Sequence, residues 1–155
     1  MTGVHPPIFG PDGFTSGRAR YEDAPPTPET TDRTSARIWM RVQPSAGGEE
    51  FYAALDTGSG LCIMDSERAT ALGIGPQDQV VRIRTAYGSM SCPTCRLDVT
   101  LLADEGQSIG VEATFAIGEK GIWPQGLVLL GYGGMLERIR LALDPRHNHV
   151  YFGPG

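Results

Sequence analysis

Apolar residues recur at every second position in a series of short segments, and this period of two is the feature that most constrains the fold. The longest such run places Ile109, Val111, Ala113, Phe115 and Ile117 on one side of an extended segment. Turn residues separate the segments at regular intervals, with 21 glycines and 12 prolines in 155 residues. Short strands with regular turns predict an all-β, barrel-like domain and argue against a helical bundle.

Shorter elements complete this pattern. Residues 36–55 and 141–152 each predict a hairpin, because two extended segments flank a cluster of turn residues. Good helix formers over residues 66–72 predict one short helix. Residues 135–140 predict a helical turn or a second short helix. The other predicted strands are 61–64, 80–85, 97–101 and 127–130.

Residues 1–35 differ from the rest of the chain. They contain half of the prolines together with scattered charges, and neither a period of two nor one of 3.6 is visible in them. We therefore expect a Pro-rich extended or disordered arm over residues 1–35 and one domain over residues 36–155. A pro-segment, or a strap that wraps around a partner, is an alternative interpretation of this arm.

Composition excludes several classes of function. The formal net charge of −5 provides no basic footprint for nucleic acid, and no apolar run approaches the length of a membrane span. The first residues lack the basic and apolar regions of a signal peptide. Three cysteines, an odd number, do not make a disulfide framework. We therefore expect a reducing, cytoplasmic environment and no nucleic-acid or membrane partner.

A carboxylate directly follows one of the predicted strands. The apolar residues Ala53-Ala54-Leu55 lead into Asp56-Thr57-Gly58-Ser59. A carboxylate at the end of a buried strand is costly unless another group pairs with it or a reaction uses it. A hydrolase that works with paired carboxylates needs such a group. The structural alternative is a plain turn after a strand, since Asp-x-Gly is common in turns.

Three stretches together resemble the retropepsin-like aspartic proteases, the single-lobe relatives of pepsin. They are Leu55 to Ser59, the predicted hairpin over Tyr87 to Ser91 in the place of the family's flap, and Val128 to Gly131, the apolar element under the catalytic loop. The resemblance covers residues 36–153. It implies a closed β-barrel of the acid-protease fold, with a single lobe, one or two short helices and a flap hairpin.

The resemblance implies an aspartic endopeptidase that uses neither a metal nor another cofactor. Members of the family activate a water molecule between two aspartates, which share a proton because like charges so close together cannot both ionise. The chain has a single Asp-Thr-Gly, so the resemblance implies a homodimer that joins two Asp56 carboxylates, with a polypeptide as substrate. The implied catalytic residues are Asp56, Thr57 and Gly58.

The same resemblance assigns residues of the catalytic loop, the hairpin and the supporting strand to substrate binding. Those in the hairpin would form a mobile cover, and those in the supporting strand would hold Asp56 and line the pocket beside it. They are Ser59, Tyr87, Gly88, Ser89, Leu129, Leu130 and Gly131. The structural alternatives are an exposed hairpin aromatic for Tyr87 and plain core positions for the two leucines.

The chain departs from the usual pattern of the family at three points. Gly60 stands where a small polar or β-branched residue is more common, and the Tyr87 hairpin looks more like that of the two-lobed pepsins. Tyr132-Gly133-Gly134 lacks the charged residue typical of viral proteases. A second hypothesis is a catalytically inactive module of the same fold, used for dimerisation or peptide binding. A third is a protease domain cut from a longer polypeptide.

Cys92 and Cys95 have Cys-x-x-Cys spacing inside the predicted hairpin. A dithiol switch that controls the flap is one interpretation, although redox chemistry favours a thiolate at a helix N-terminus. A zinc site would need further ligands, and Cys62 with a histidine is the candidate set. Plain structural cysteines are the favoured interpretation.

Two further groups are favoured as structural. His147 and His149 lie near the closing hairpin, and no other reactive group converges on them. Asp144 follows an apolar strand, as Asp56 does, but Pro145 takes the place of the threonine. This departure argues against Asp144 as an internal second carboxylate.

Overall fold

Strands dominate the computed structural model, which describes residues 7–23, 38–75 and 79–155. The predicted all-β class is confirmed. The strands are β1 (Gly17–Arg20), β2 (Ile38–Pro44), β3 (Phe51–Asp56), β4 (Cys62–Met64), β5 (Val80–Thr85), β6 (Gly88–Leu101), β7 (Glu105–Gly106), β8 (Ile109–Ile117), β9 (Leu129–Gly131), β10 (Ile139–Asp144) and β11 (His149–Pro154). The helical elements are α1 (Ser66–Ala71) and a 3-10 turn (Leu136–Arg138). Within the described ranges, no helix is long and apolar enough to cross a membrane.

Six strands form a closed barrel. They follow one another in the order β2, β3, β9, β4, β8 and β6. The ring closes where the end of β2 pairs with the end of β6, with Val42 opposite Leu101 and Pro44 opposite Val99. β5 pairs with β6 as a hairpin that extends beyond the ring. The predicted closed barrel is therefore confirmed.

The barrel interior holds the main hydrophobic core. The longest predicted period-two run forms β8, and its residues Ile109, Ala113 and Phe115 are buried. They pack in one cluster with Val42 from β2 and Leu101 from β6. The period of two in this part of the sequence thus arises because one face of β8 is turned to the core.

A second, four-stranded sheet has the order β10, β11, β1 and β7. Its strand β1 lies within residues 1–35, which are predicted to be an arm outside the domain. In the structure β1 pairs with β11, and Ala19 is buried in the main core. This finding corrects the expectation for residues 17–20, whose inward positions Gly17 and Ala19 have side chains too small to reveal a period. Residues 1–6 and 24–35 of the predicted arm lie outside the described residues.

The ends of α1 and the two predicted hairpins agree with the sequence signals. The Asp65 carboxylate caps α1 and accepts a hydrogen bond from the Arg68 N–H at 3.2 Å. Gly73 follows α1 with a φ of 73°, a left-handed conformation that glycine adopts without strain. The hairpin predicted over residues 36–55 appears as β2–β3, and the one over residues 141–152 appears as β10–β11.

Two backbone segments approach each other closely: the end of β9 with the residues that follow it, and the start of β4 with the residue before it. A β-carbon at position 131 would lie 2.2 Å from the carbonyl oxygen of Leu61, and one at position 134 would lie 2.7 Å from the amide nitrogen of Cys62. Only glycine, which has no β-carbon, fits at Gly131 and Gly134. This glycine crossing holds β9 against the loop that joins β3 to β4.

Cys92 and Cys95 lie on opposite faces of β6. Cys92 packs in a second apolar cluster, under the β5–β6 hairpin, whereas Cys95 packs in the barrel core. Three residues of a strand span about 10 Å, and a disulfide joins Cα atoms less than about 7 Å apart. Burial raises the pKa of both thiols, which lowers their reactivity. The geometry thus supports structural cysteines and not a dithiol switch.

We expect no disulfide between Cys92 and Cys95 in the folded protein. After mild oxidation under native conditions, the intact mass should equal that of the reduced protein, because neither thiol reaches the other. Oxidation in denaturant is the control, since the unfolded chain brings the two thiols together. A disulfide that forms equally fast in the folded and the unfolded protein would contradict this placement.

Gly131→Ala should lower the free energy of unfolding by about 3 kcal/mol and the Tm by about 10 °C, because the new methyl group overlaps the Leu61 carbonyl. Gly60→Ala is the matched control, since nothing lies within 4 Å of a β-carbon at that position. Its effect should stay within about 0.5 kcal/mol. Thermal unfolding followed by circular dichroism measures both variants, and equal Tm values would contradict the close glycine crossing.

Candidate functional site

Asp56 is the last residue of β3, and it lies where this strand meets β9. The two strands run parallel, with Leu55 opposite Leu130 and Asp56 opposite Gly131. Leu129, Leu130 and Gly131 are all buried. The predicted Leu-Leu-Gly element therefore lies directly beside the strand that carries Asp56.

Main-chain hydrogen bonds hold the loop that follows Asp56. The Gly58 N–H donates to Asp56 Oδ1 at 3.0 Å, and the Ser59 N–H donates to the Asp56 carbonyl at 3.2 Å. The Ser59 carbonyl in turn accepts the Tyr132 N–H at 2.9 Å. Asp56 is half-buried, and a main-chain donor orients its carboxylate. The loop thus presents one positioned carboxylate.

The Ser59 hydroxyl has a partner inside the loop. It donates to the Leu61 carbonyl at 2.6 Å, so within the single chain this hydroxyl tightens the loop and does not bond the Asp56 carboxylate. Thr57 and Gly58 are exposed at the tip of the same loop. A second molecule can therefore reach both residues.

Cys62 supports the loop from the glycine crossing, a role for which the sequence carries no local signal. Its Sγ accepts the Gly131 N–H at 3.3 Å. Burial raises the pKa of the Cys62 thiol to about 11, so the sulfur is a neutral packing and acceptor group at ordinary pH. Among the described residues, no group of three or more His, Cys, Asp or Glu side chains is arranged to hold a metal ion.

The β5–β6 hairpin turns tightly at Ala86 and Tyr87. The Thr85 hydroxyl accepts the Tyr87 N–H at 3.1 Å and donates to the Gly88 carbonyl at 2.9 Å. Gly88 has a φ of 133°, which favours glycine, and Ser89 is exposed beside it. The three predicted hairpin residues therefore lie together at the tip.

The underside of this hairpin packs on the second apolar cluster. Met90 and Cys92 of β6 share this cluster with Ala54 of β3 and Leu129 of β9. The cluster therefore joins the hairpin to the two strands that position Asp56. The hairpin and the Asp56 loop belong to one structural unit, although the hairpin tip at Tyr87 lies 31 positions after Asp56 in the sequence.

Trp123 holds the tip of the hairpin. Its ring lies edge-on to the Tyr87 ring, with centroids 5.5 Å apart and an interplanar angle of 83°. The Trp123 Nε1–H donates to the Leu127 carbonyl at 2.8 Å, which fixes the indole in place. An edge-to-face aromatic pair of this kind is favourable. Sequence patterns miss Trp123 because it lies in a connecting segment without a period.

Asp144 lies in the four-stranded sheet, away from the strands that carry Asp56. Its carboxylate accepts a hydrogen bond from His147 Nδ1 at 2.7 Å, and this bond lowers the pKa of the Asp144 carboxyl. The His147 ring stacks on His149 with centroids 6.2 Å apart. These residues order the turn between β10 and β11, which agrees with their predicted structural role.

A cleft of about 700 Å³ opens at another place, between residues 9–11, 13–16 and 105–107, Arg140 and Pro154. None of the predicted site residues lines this cleft. It contains no part of the Asp56 loop, the hairpin tip or β9. The cleft and the Asp-Thr-Gly loop therefore lie in different parts of the molecule.

The fold has counterparts among solved structures. The crystal structure of a retropepsin-like aspartic protease from Rickettsia conorii matches with a TM-score of 0.53 and 15% sequence identity, over 90% of this chain and 93% of that chain. The retroviral protease-like domain of Ddi1 from Leishmania major has a TM-score of 0.47 and 18% identity, over 77% and 96% of the two chains. No curated protein sequence matches the chain. The first similarity shows the retropepsin-like fold.

A family profile described as "Aspartyl protease" matches residues 42–132, more than half of the 155 residues. The matched part contains the Asp56 loop, the β5–β6 hairpin and β9. The family resemblance seen in the sequence is therefore confirmed. This chain belongs to the aspartyl protease family.

Proposed function

We propose that the protein is an aspartic endopeptidase that acts as a homodimer. The observation that carries the proposal is the position of Asp56, whose carboxylate follows a strand of the barrel and accepts a main-chain N–H from Gly58. It stands in the Asp-Thr-Gly of a chain that belongs to the aspartyl proteases. The loop offers one carboxylate, and the reaction needs two. A second copy of the chain supplies the other.

The chemistry follows from two carboxylates that face one water molecule. Because two like charges at hydrogen-bond distance cannot both ionise, the pair holds one proton between the two carboxylates. The ionised Asp56 removes a proton from the water, and the protonated Asp56 of the other copy polarises the scissile carbonyl. The peptide bond is then hydrolysed without a covalent intermediate.

The exposed tip of the Asp56 loop suits a contact between two copies. Thr57 and Gly58 are exposed there, and a threonine hydroxyl can bond the main chain of a facing loop across a two-fold axis. β9 is parallel to β3 with Gly131 opposite Asp56, and Tyr132 follows it beside the same loop, where its N–H donates to the Ser59 carbonyl. Tyr132 is 54% exposed, and aromatic residues are enriched in protein interfaces.

The remaining predicted residues have roles on either side of the substrate. Tyr87, Gly88 and Ser89 form a cover, and their main-chain groups can bond an extended peptide. Leu129, Leu130 and Gly131 of β9 support β3, the strand that carries Asp56. They also form an apolar wall beside the carboxylates. The apolar cluster that joins hairpin and strands supports this division of roles.

Asp56→Asn should lower kcat/KM for a peptide substrate by at least about a thousandfold, because an amide cannot act as a general base. The wild-type protein should show a bell-shaped pH profile on the acid side, since one carboxylate of the pair must be ionised and the other protonated. Cleavage of a peptide library at several pH values measures both effects.

Asp98→Asn is the matched control for this substitution, because Asp98 is an exposed aspartate of β6 outside the Asp56 loop. Sedimentation velocity should accompany the assay for each protein. Equal cleavage by the wild type and Asp56→Asn would exclude the proposed mechanism. A wild-type dimer that binds peptides without cleaving them would identify the inactive binding or dimerisation module.

Tyr87→Ala should raise KM by about fivefold, because it removes the edge-to-face contact with Trp123 that holds the cover in place. Tyr87→Phe keeps this contact and should leave KM within about twofold of the wild-type value. Steady-state kinetics on one peptide substrate compares the two variants. Unchanged KM in Tyr87→Ala would favour the alternative of an exposed hairpin aromatic.

A further inference from the structure

β5 forms the open edge of the β5–β6 hairpin. It is the last strand of the seven-stranded sheet, with β6 on one side and, among the described residues, no strand on the other. Its six residues, Val80 to Thr85, include neither proline nor glycine. An edge strand of this kind presents unpaired N–H and C=O groups, to which an extended peptide can add. The hairpin edge is therefore available for strand addition.

The hydrogen-bond pattern identifies the residues of β5 that present these groups. The Thr94 N–H donates to the Gln79 carbonyl at 3.0 Å, and bonded and non-bonded pairs alternate along an antiparallel ladder. Every second residue from Gln79 therefore bonds β6, and the residues between them turn their main-chain groups to the open edge. The latter are Val80, Arg82 and Arg84. Ser91 agrees with this pattern, since it lies opposite Arg82 and its N–H donates away from β5, to Glu119 Oε2 at 3.4 Å.

The two faces of β5 carry different chemistry. Arg82 and Arg84 are exposed on the outer face, and among the described residues neither guanidinium has a hydrogen-bond or ion-pair partner. Val81 and Ile83 lie on the inner face, partly buried against the second apolar cluster. The main-chain groups at the edge and the two free guanidinium groups thus belong to the same two arginines.

We infer that β5 binds an extended polypeptide segment in which one apolar residue separates two acidic residues. Residues directly opposite each other in neighbouring strands have their side chains on the same face of the sheet. The acidic residues therefore lie opposite Arg82 and Arg84, where their carboxylates meet the guanidinium groups and their main chains bond those of the arginines. The residue between them lies opposite Ile83 and extends the apolar inner face.

A second copy of β5 does not suit this edge. In the registers near the centre of the strand, an axis through Ile83 would place Arg82 opposite Arg84 of the second copy. An axis through either arginine would place that residue opposite itself. Like charges that face each other across strands are unfavourable. The two arginines thus protect the edge from self-pairing and leave it open to an acidic segment.

This inference deepens the proposed function by naming a class of polypeptide, and the identity of that polypeptide as a substrate rests on the proposed function. β5 leads directly into the hairpin tip, whose residues Tyr87, Gly88 and Ser89 form the proposed cover. The underside of the hairpin packs on the cluster that joins it to the strands beside Asp56. An acidic segment on β5 is therefore held by the same hairpin as the proposed cover.

Binding of peptides to the Asp56→Asn variant of the full chain tests this inference without cleavage. The probes are short fluorescent peptides with threonine flanks, whose centres are Glu-Val-Glu, Gln-Val-Gln or Glu-Glu-Val. The Glu-Val-Glu peptide should bind about fivefold more tightly than the Gln-Val-Gln peptide, because two ion pairs form across the strands. It should also bind more tightly than the Glu-Glu-Val peptide, which has the same charge but places its acidic side chains on opposite faces. Fluorescence polarisation at low ionic strength measures each Kd.

Reversal of both charges, Arg82→Glu together with Arg84→Glu, should invert this preference, so that a Lys-Val-Lys peptide binds more tightly than the Glu-Val-Glu peptide. Inversion supports the pairing even where the variant loses stability, because a damaged hairpin loses affinity for every peptide. Arg96→Glu is the control, since Arg96 is an exposed residue of β6 beyond the part that pairs with β5. It should keep the preference for the Glu-Val-Glu peptide.

An absence of binding, or equal Kd values for the Glu-Val-Glu peptide and either of the other two, would overturn this inference. A preference for the Glu-Val-Glu peptide that survives the reversal of both arginines would do the same. Cleavage of a peptide library by the wild type separates these outcomes from failure of the proposed function. A wild type that cleaves peptides without preference for paired acidic residues leaves the proposed function standing. A chain that binds the Glu-Val-Glu peptide through the arginines but cleaves no peptide overturns the proposed function alone.

Discussion

The contact between the Gly131 backbone and the Leu61 carbonyl is the constraint on which the rest of the site depends. Because a β-carbon at position 131 would lie 2.2 Å from that oxygen, only glycine lets β9 enter the barrel between β3 and β4. These two strands flank the Asp56 loop in the sequence, yet in the sheet β9 separates them. The loop must therefore span the end of β9, and this places Asp56 at the barrel end beside Gly131.

Hydrogen bonds within the single chain hold the Asp56 loop in place. The Gly58 N–H orients the Asp56 carboxylate, the Ser59 hydroxyl closes the loop on Leu61, and the Cys62 sulfur accepts the Gly131 N–H. Preorganised groups of this kind need little rearrangement during a reaction. A single chain nevertheless holds one carboxylate in this loop. The proposed chemistry thus requires a second chain as well as a correctly folded first one.

Much of the fold could be predicted because its signals are local. β8 shows its buried face as a period of two, and the good helix formers over residues 66–72 indicate α1. β1 could not be predicted, since Gly17 and Ala19 pack against β11 through their small size and not through a visible pattern. Its position depends on pairing with residues more than 125 positions away.

The candidate site likewise has some features that the sequence predicts and others that only the structure reveals. The Asp-Thr-Gly motif and the Leu-Leu-Gly element are recognisable in the sequence, and the structure places them side by side. The partner of the Ser59 hydroxyl, the support from Cys62 and the contact between Tyr87 and Trp123 depend on side-chain geometry between separate segments. Such contacts leave no periodic trace, so the sequence alone does not reveal them. The pairing of β1 with β11 inside one chain means that each chain builds its four-stranded sheet from its own strands. Under the proposed homodimer mechanism, the number of complete active sites at low abundance grows with the square of the protein concentration, so the level of synthesis would set a threshold for proteolysis.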